Sequence, residues 1–169
     1  MNSTATAVGT DIDIDGDKIV EGIVKWLEME SPTLDVEAVN AMVDTAQADF
    51  EAAGLTTRRT PGEDGYGDLL EGFGPGAGPS EARGNEPGIL VLSHIDTVHP
   101  IGTKSDGNPI RREGDKLYGP GVYDMKAGAY MAFDAYRRLL SAGGKTQLPV
   151  RFMFIPEEEY QNILKVMPV

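Results

Sequence analysis

Cysteine is absent from this 169-residue chain, and only two histidines are present. Without thiols there are no disulfide bonds, no cysteine nucleophile and no cysteine zinc ribbon, so any bound metal must be held by histidine and carboxylate groups. Long apolar runs are also missing, because Ile89–Leu92 and Phe152–Ile155 are far shorter than the roughly 20 residues that span a bilayer. The sequence therefore predicts neither a disulfide scaffold nor a membrane-spanning helix.

Basic residues are scarce, with 15 Lys and Arg against 27 Asp and Glu, which gives a formal net charge of −12. A chain this negative repels phosphate backbones and anionic lipid surfaces, so we expect no nucleic-acid partner and no membrane partner. The N-terminal residues show neither the basic start nor the apolar block of a secretory signal, which leaves a cytoplasmic location as the default expectation.

Apolar residues recur at helical spacing in three stretches of the chain. They predict a helix around Ile19–Leu27 that Ser31-Pro32 ends, a helix over Val36–Phe50 that Gly54 ends, and a helix over Ala127–Leu140.

Strands are predicted at Leu55–Thr60, Ile89–Leu92 and Val150–Ile155, with a shorter one at Asp68–Phe73 inside a glycine-rich loop region. The two continuous apolar runs, Ile89–Leu92 and Val150–Ile155, are typical of strands buried on both faces. Strands that alternate with helices predict an α/β domain with a mostly parallel sheet.

Both histidines lie in the segment 93–100, directly after a predicted strand. Ligands of open parallel sheets collect beyond the carboxyl ends of strands, so this placement favours a functional site. His94 and Asp96 are two positions apart and project to the same side of an extended backbone, which allows the carboxylate to approach the imidazole from behind. A metal-bound histidine needs this arrangement, but the pair alone fits a surface or core histidine as well.

Further carboxylates follow in two places. Asp124 ends a turn-rich approach to the third helix, and Glu157, Glu158 and Glu159 follow the last predicted strand. Three adjacent carboxylates repel one another, and exposure to solvent weakens this repulsion. The segment therefore also fits a solvated acidic turn. A divalent cation would remove that repulsion, and one bound Glu beside one unbound Glu would supply a ligand and a base for metal-assisted hydrolysis.

Three motifs occur in a characteristic order: residues 94–100 (HIDTVHP), 113–128 (EGDKLYGPGVYDMKAG) and 154–159 (FIPEEE). With them the sequence resembles the glutamate carboxypeptidase branch of the co-catalytic zinc aminopeptidase/deacylase family. That family includes acetylornithine deacetylase, succinyl-diaminopimelate desuccinylase and aminoacylases. The resemblance covers about residues 17–159 and implies a three-layer zinc-peptidase-like catalytic domain.

The resemblance also implies a role for each matching residue. His94 and Glu159 correspond to ligands of two different zinc ions, and Asp124 corresponds to the aspartate that bridges them and precedes a cis peptide bond. Asp96, which orients the imidazole, and Glu158, the general base, correspond to the catalytic groups. The implied cofactors are two Zn²⁺ ions, with Co²⁺ or Mn²⁺ as substitutes. The implied substrate is a small peptide or N-acyl-amino acid, and the full-length family is homodimeric.

The match to the family pattern ends after the glutamate pair, where relatives continue with a Gly-Ser stretch and about as many residues again. We therefore expect a truncated domain: a loose segment 1–16, the N-terminal part of a metallopeptidase catalytic domain at 17–159, and an atypical tail 160–169 that reflects truncation or a frameshift.

The leading interpretation is a zinc-dependent hydrolase of amide or peptide bonds that resembles glutamate carboxypeptidase and is weakly active or inactive as this chain. Two alternatives stay open. The first is an aminoacylase or N-acyl-amino-acid deacetylase of the same family. The second is a non-catalytic remnant that binds metal or a partner.

Overall fold

The computed structural model describes residues 12–77 and 87–160. Residues 1–11 of the predicted loose segment and 161–169 of the predicted tail lie outside the described residues. Within them, the elements in chain order are α1 (Gly16–Leu27), α2 (Val36–Ala52), β1 (Thr56–Thr60), β2 (Leu69–Phe73), β3 (Ile89–His94), β4 (Arg111–Glu113), β5 (Lys116–Tyr118), α3 (Ala127–Ser141) and β6 (Val150–Ile155). A π-helical turn over Val122–Lys126 precedes α3, and a 3₁₀ turn over Glu158–Tyr160 follows β6.

The three predicted helices are confirmed. Asp15 caps α1 by accepting the backbone N–H groups of Asp17 and Lys18, at 3.1 and 3.2 Å. Asp35 caps α2 in the same way through the N–H of Ala38, at 3.0 Å. Each cap satisfies amide groups that the first turn of a helix leaves unpaired. No helix in the described ranges combines the length and apolarity needed to cross a membrane.

The predicted α/β class is confirmed, but the described main sheet is mixed instead of mostly parallel. Its strand order is β1-β2-β6-β3, and the β1/β2 and β2/β6 pairs are antiparallel. Only β3 and β6 run parallel, and α3 forms the crossover between them. The physical reason is connection length: the short loop 61–68 returns the chain antiparallel, whereas a parallel pair needs a crossover.

A small hairpin of β4 and β5 lies outside this sheet and was not among the predicted elements. Its three-residue strands are mostly exposed, and they carry no apolar alternation from which a strand could be predicted.

The core lies between the three helices and one face of the sheet. Phe50 of α2 is at its centre, with ring centroids 5.0 Å from Phe133 of α3 and 5.1 Å from Phe154 of β6. Gly72 of β2 makes room for it, since a Cβ there would lie 2.4 Å from the Phe50 ring. The described residues thus supply the sheet and one helical layer of the expected architecture.

The prediction that both apolar strands are buried on both faces holds for β6 and is wrong for β3. Phe152 and Met153 of β6 point to opposite faces of the sheet and are 0% and 6% exposed, whereas Leu90 and Leu92 of β3 are 48% and 41% exposed. The physical reason is position in the sheet: β6 lies between two strands, and β3 is an edge strand of the described sheet.

Candidate metal site

The predicted site residues lie at one end of the sheet. His94 is the last residue of β3, and it pairs with Ile155, the last residue of β6. Because these two strands are parallel, the segments that follow them emerge at the same edge. Glu159 follows β6 in the 3₁₀ turn, and Asp124 reaches the same place from the turn before α3.

A nitrogen of His94 and carboxylate oxygens of Asp124 and Glu159 lie within 4.8 Å of one another. The closest contact joins Nε2 of His94 to Oδ1 of Asp124 at 2.9 Å. Glu158 lies slightly farther away, with its Oε2 3.8 Å from the same nitrogen. The structure therefore brings together residues from three separate stretches of the chain.

Asp96 lies behind the imidazole, as the two-residue spacing predicted. Its side chain is fully buried, and its Oδ1 is 3.3 Å from Nδ1 of His94. The other oxygen, Oδ2, accepts a hydrogen bond from the hydroxyl of Thr33 at 2.7 Å and a longer one from the N–H of Glu159 at 3.4 Å. The ring thus has a carboxylate on each side: Asp96 at Nδ1 and Asp124 at Nε2.

The electrostatics of the cluster favour a positive charge. Burial lowers the pKa of His94, but the carboxylates of Asp96 and Asp124, which face its two ring nitrogens, and the charge of Glu158 more than offset this and raise the pKa to about 9. Burial raises the pKa of Glu159, and the nearby charge of Asp124 raises it further. A cation at this position would relieve the repulsion among the carboxylates.

The turn that carries Asp124 depends on a glycine at its start. Gly121 has φ +72°, and a Cβ there would lie 2.5 Å from Cγ2 of Thr97. Asp124 itself has an extended backbone, and its peptide bond to Met125 is cis, as the resemblance implies. This backbone path places the carboxylate beside His94.

Lys126 is a buried residue of the same turn, and nothing in the sequence pattern indicates a role for it. Its ammonium group donates hydrogen bonds to the backbone oxygens of Met29 and, at 3.5 Å, of Trp26, so it connects the turn to the C-terminal end of α1. Burial lowers its pKa to about 7. Its partners precede it by 97 and 100 positions, and no local sequence pattern indicates such a contact.

An open cavity of about 340 Å³ lies next to the cluster, with Asp124 and Glu159 in its wall. His99, the second histidine, also lines this cavity but is not part of the ligand cluster. The remaining wall is formed by Val98, Asn108, Tyr118, Gly119, Gly121, Val122 and Tyr123.

The donor set fits zinc. One imidazole nitrogen and carboxylate oxygens are ligands that Zn²⁺ takes, and a buried carboxylate behind the imidazole is the usual outer partner of a metal-bound histidine. Three ligand residues are fewer than two four-coordinate ions need, even with Asp124 shared. The described residues therefore offer three ligand groups of a metal site.

Comparisons with known proteins agree with these features. The family model for peptidase family M20/M25/M40 matches residues 90–167, the part that carries His94, Asp124 and Glu159. A curated relative, carboxypeptidase G2 from Pseudomonas sp. (strain RS-16), is 28% identical over 142 residues, which cover 83% of this chain and 32% of the relative.

Solved structures show the same fold. Human carnosine dipeptidase 1 matches with a TM-score of 0.72 at 17% identity, over 90% of this chain and 34% of that protein. An M20 family metallo-carboxypeptidase from Sulfolobus solfataricus matches with a TM-score of 0.64 at 17% identity, over 86% of this chain and 32% of that protein. The chain thus spans about a third of the length of these proteins. The resemblance to the zinc peptidase family is confirmed, and the glutamate carboxypeptidase branch stays a prediction.

Proposed function

We propose that the chain provides the metal-binding half of a zinc-dependent hydrolase of amide or peptide bonds, because residues 90–167 match the model of peptidase family M20/M25/M40 and carboxypeptidase G2 is similar over 83% of the chain. The carboxypeptidase and dipeptidase names of its relatives support a small peptide as the substrate. An N-acyl-amino acid is the alternative substrate, since it presents the same amide bond.

One observation carries this proposal: His94, Asp124 and Glu159 converge from three separate segments, although the carboxylates of Asp124 and Glu159 repel each other. A solvated acidic turn would leave the glutamates of residues 157–159 apart from the histidine. Here the carboxylates surround a buried imidazole that has a further carboxylate behind it. In this arrangement His94, Asp124 and Glu159 would be the ligands.

Bound zinc would supply Lewis-acid chemistry and lower the pKa of an attacking water. Asp96 would hold the imidazole of His94 in one orientation through Nδ1. Glu158, whose carboxylate is partly exposed beside the cluster, would accept the proton of the water and pass it to the leaving nitrogen. Water would add to the carbonyl carbon, the C–N bond would break, and an acid and an amine would result.

Zinc binding by the 169-residue chain tests the proposal. We expect His94→Ala to weaken zinc affinity by more than about 100-fold, because a lost ligand costs more than the 10–100-fold typical of an outer partner. His99→Ala is the matched control: it removes the only other imidazole, which lies on the same loop but outside the cluster. Competitive titration with a chromogenic chelator measures both variants.

The alternatives give different results in this experiment. A complete two-ion site would bind close to two zinc ions per chain, and the described ligand set predicts fewer. A remnant that binds no metal would show no zinc affinity in any variant, which would contradict the proposal. Equal losses in His94→Ala and His99→Ala would also contradict it, because the ligand set would then be wrong.

A further inference from the structure

Residues Ser31–Thr33 lie beside residues 95–97 and extend the sheet beyond the end of β3. The N–H of Thr97 donates to the oxygen of Ser31 at 2.8 Å, and the N–H of Thr33 donates to the oxygen of Thr97 at 3.2 Å. Pro32 and Thr97 form an isolated parallel bridge between these bonds. The segment after α1 is thereby fixed against the loop that carries Asp96.

This pairing places the hydroxyl of Thr33 in direct contact with the carboxylate of Asp96, 63 positions later in the chain. Oγ1 of Thr33 lies 2.7 Å from Oδ2 of Asp96 and 3.5 Å from the oxygen of Thr97. A hydroxyl has one proton to donate, and the nearer, charged oxygen receives it. Both side chains are almost completely buried, at 1% and 0% exposure.

The hydrogen bond from Thr33 fixes the orientation of the Asp96 carboxylate, so that Oδ1 faces the imidazole. Oδ2 is taken by Thr33, with a longer contact from the N–H of Glu159. Oδ1 makes no hydrogen bond within the described residues but lies 3.3 Å from Nδ1 of His94, and the hydrogen bond of Nδ1 itself goes to the backbone oxygen of Asp96, also at 3.3 Å. Without the hydroxyl, the carboxylate would be buried with one good donor fewer and would be free to rotate.

We propose that Thr33 is a positioning residue of the metal site, a role that rests on the proposed function. Its hydroxyl fixes the carboxylate of Asp96, and Asp96 fixes the imidazole of His94 toward the cluster. Thr33 touches neither the ligand atoms nor the cavity.

Ser31 provides a matched control within the same segment. It is also fully buried, at 0% exposure, and its hydroxyl donates to the backbone oxygen of Ile95 at 2.6 Å. Removal of this hydroxyl therefore costs a buried hydrogen bond between the same two segments but leaves the carboxylate of Asp96 untouched. Any general weakening of the pairing will appear in both variants.

The experiment compares Thr33→Val, Thr33→Ser and Ser31→Ala in the full 169-residue chain. Valine keeps the shape of threonine without the hydroxyl, and serine keeps the hydroxyl. Three quantities are measured: zinc affinity by competitive titration, the visible absorption spectrum of the Co²⁺ form, and the urea midpoint of the metal-free chain. The spectrum responds to ligand geometry, which a loss of stability alone does not change.

We expect Thr33→Val to weaken zinc affinity by about tenfold, the lower end of the range for outer partners of a ligand, and to alter the cobalt spectrum. Thr33→Ser should stay within about threefold of the unsubstituted chain, since it keeps the donor to the outer carboxylate. Ser31→Ala should lower the urea midpoint but leave zinc affinity and the cobalt spectrum unchanged.

Unaltered zinc affinity in Thr33→Val, or an equal loss in Ser31→Ala, would overturn the role of Thr33. In either case a loss of affinity in His94→Ala would leave the proposed function standing. Absence of zinc binding by the unsubstituted chain would overturn the role of Thr33 and the proposed function together.

Discussion

Glu158 and Glu159 are adjacent residues with different surroundings. A carboxylate oxygen of Glu159 belongs to the ligand cluster, and burial raises its pKa. The side chain of Glu158 is 39% exposed, with Oε2 3.8 Å from Nε2 of His94. The first arrangement suits a ligand, and the second suits a group that exchanges protons with a water beside the cluster.

The difference between the two glutamates leads to a prediction about turnover. Because the described ligand set is incomplete, we expect the chain to hydrolyse N-acyl-amino acids and peptides with a C-terminal glutamate weakly or not at all. Glu158→Gln should lower any measurable turnover by about 10²–10⁴-fold, the usual contribution of a general base. Its zinc affinity should be unchanged, because Glu158 is not in the ligand cluster.

Hydrolysis assays and zinc titrations on the same preparations check this prediction. Robust turnover that Glu158→Gln abolishes would show that the site is complete in this chain, and the expectation of weak activity would be wrong. A large loss of zinc affinity in Glu158→Gln would instead make Glu158 a ligand.

That the predicted residues would lie close together could be inferred from the sequence, because their spacing relative to strands and turns is local. His94 and Asp96 stand two apart after an apolar run, and Glu158 and Glu159 follow another such run. Thr33 and Lys126 were missed because their partners are distant in the chain, at separations of 63 and 97 positions. Hydrogen bonds of this kind depend on tertiary packing and leave no periodic pattern in the sequence.

At the scale of single elements, the turn Val122–Lys126 begins after a glycine with a left-handed backbone. Gly121, just before it, has φ +72° and lies against Thr97. Gly143, after α3, has the same φ of +72°, but a Cβ there would meet no other group within 4 Å. A comparison of alanine substitutions at these two glycines therefore separates two contributions to the loss of stability: the left-handed backbone, which both share, and the collision of a Cβ, which occurs only at Gly121.

We expect Gly143→Ala to lower the free energy of unfolding by about 1–2 kcal/mol, the cost of a left-handed conformation for a residue with a Cβ. Gly121→Ala should lose about 1–3 kcal/mol more, since its Cβ collides with Thr97. Only Gly121→Ala should also weaken zinc affinity, because it displaces the turn that carries Asp124. Urea unfolding and zinc titration measure the two effects; equal stability losses would contradict this account.

The elements themselves could be predicted to different extents. The three helices follow from apolar spacing together with caps such as Asp15, because both signals are local. The strands β4 and β5 have three residues each and are mostly exposed, so burial left no pattern in them. The exposure of Leu90 and Leu92 depends on the position of β3 in the sheet, which an apolar run does not encode.

At the scale of the whole molecule, the sheet direction was the part of the fold least accessible to sequence. Alternation of strands and helices predicted a mostly parallel sheet, and it described only the β3/β6 pair correctly. The antiparallel pairs depend on how β2 inserts beside β6 after a loop without periodicity. The short loop 61–68 returns β2 antiparallel to β1, and the β2/β6 pair joins residues far apart in the chain, such as Leu70 and Phe154, which no local pattern encodes.

Because the chain has a net charge of −12, the dependence of its free energy of unfolding on acid pH reports on its carboxyl groups. Burial raises the pKa of Asp134 in α3, but the guanidinium groups of Arg138 and Arg137 outweigh it and hold the pKa below its ordinary value of 3.8. A carboxyl group whose pKa is lower in the folded state stabilises the protein, and this contribution is complete when the pH lies above the pKa of the unfolded state. That contribution is lost as pH falls through the folded value.

We therefore expect the free energy of unfolding to fall below about pH 4, and Asp134→Asn to reduce the slope of that fall. At neutral pH this variant should lose about 2–3 kcal/mol, less than a fully buried pair because Arg137 is 39% exposed. The exposed pair of Asp17 and Arg112 is the control, and Asp17→Asn should change stability by less than about 1 kcal/mol. Chemical unfolding across the acid range measures these values; identical acid slopes in the parent and Asp134→Asn would contradict the assignment.

The distance along the chain between the clustered groups has a consequence for the order in which structure is acquired. His94 and Asp124 are 30 positions apart, and Thr33 and Asp96 are 63 apart, so an unfolded chain holds no preformed cage for an ion. A cation can bind tightly only after β3, β6 and the crossover helix have assembled. A bound cation would then lower the unfolding rate. Chelators would raise the unfolding rate and leave the folding rate unchanged.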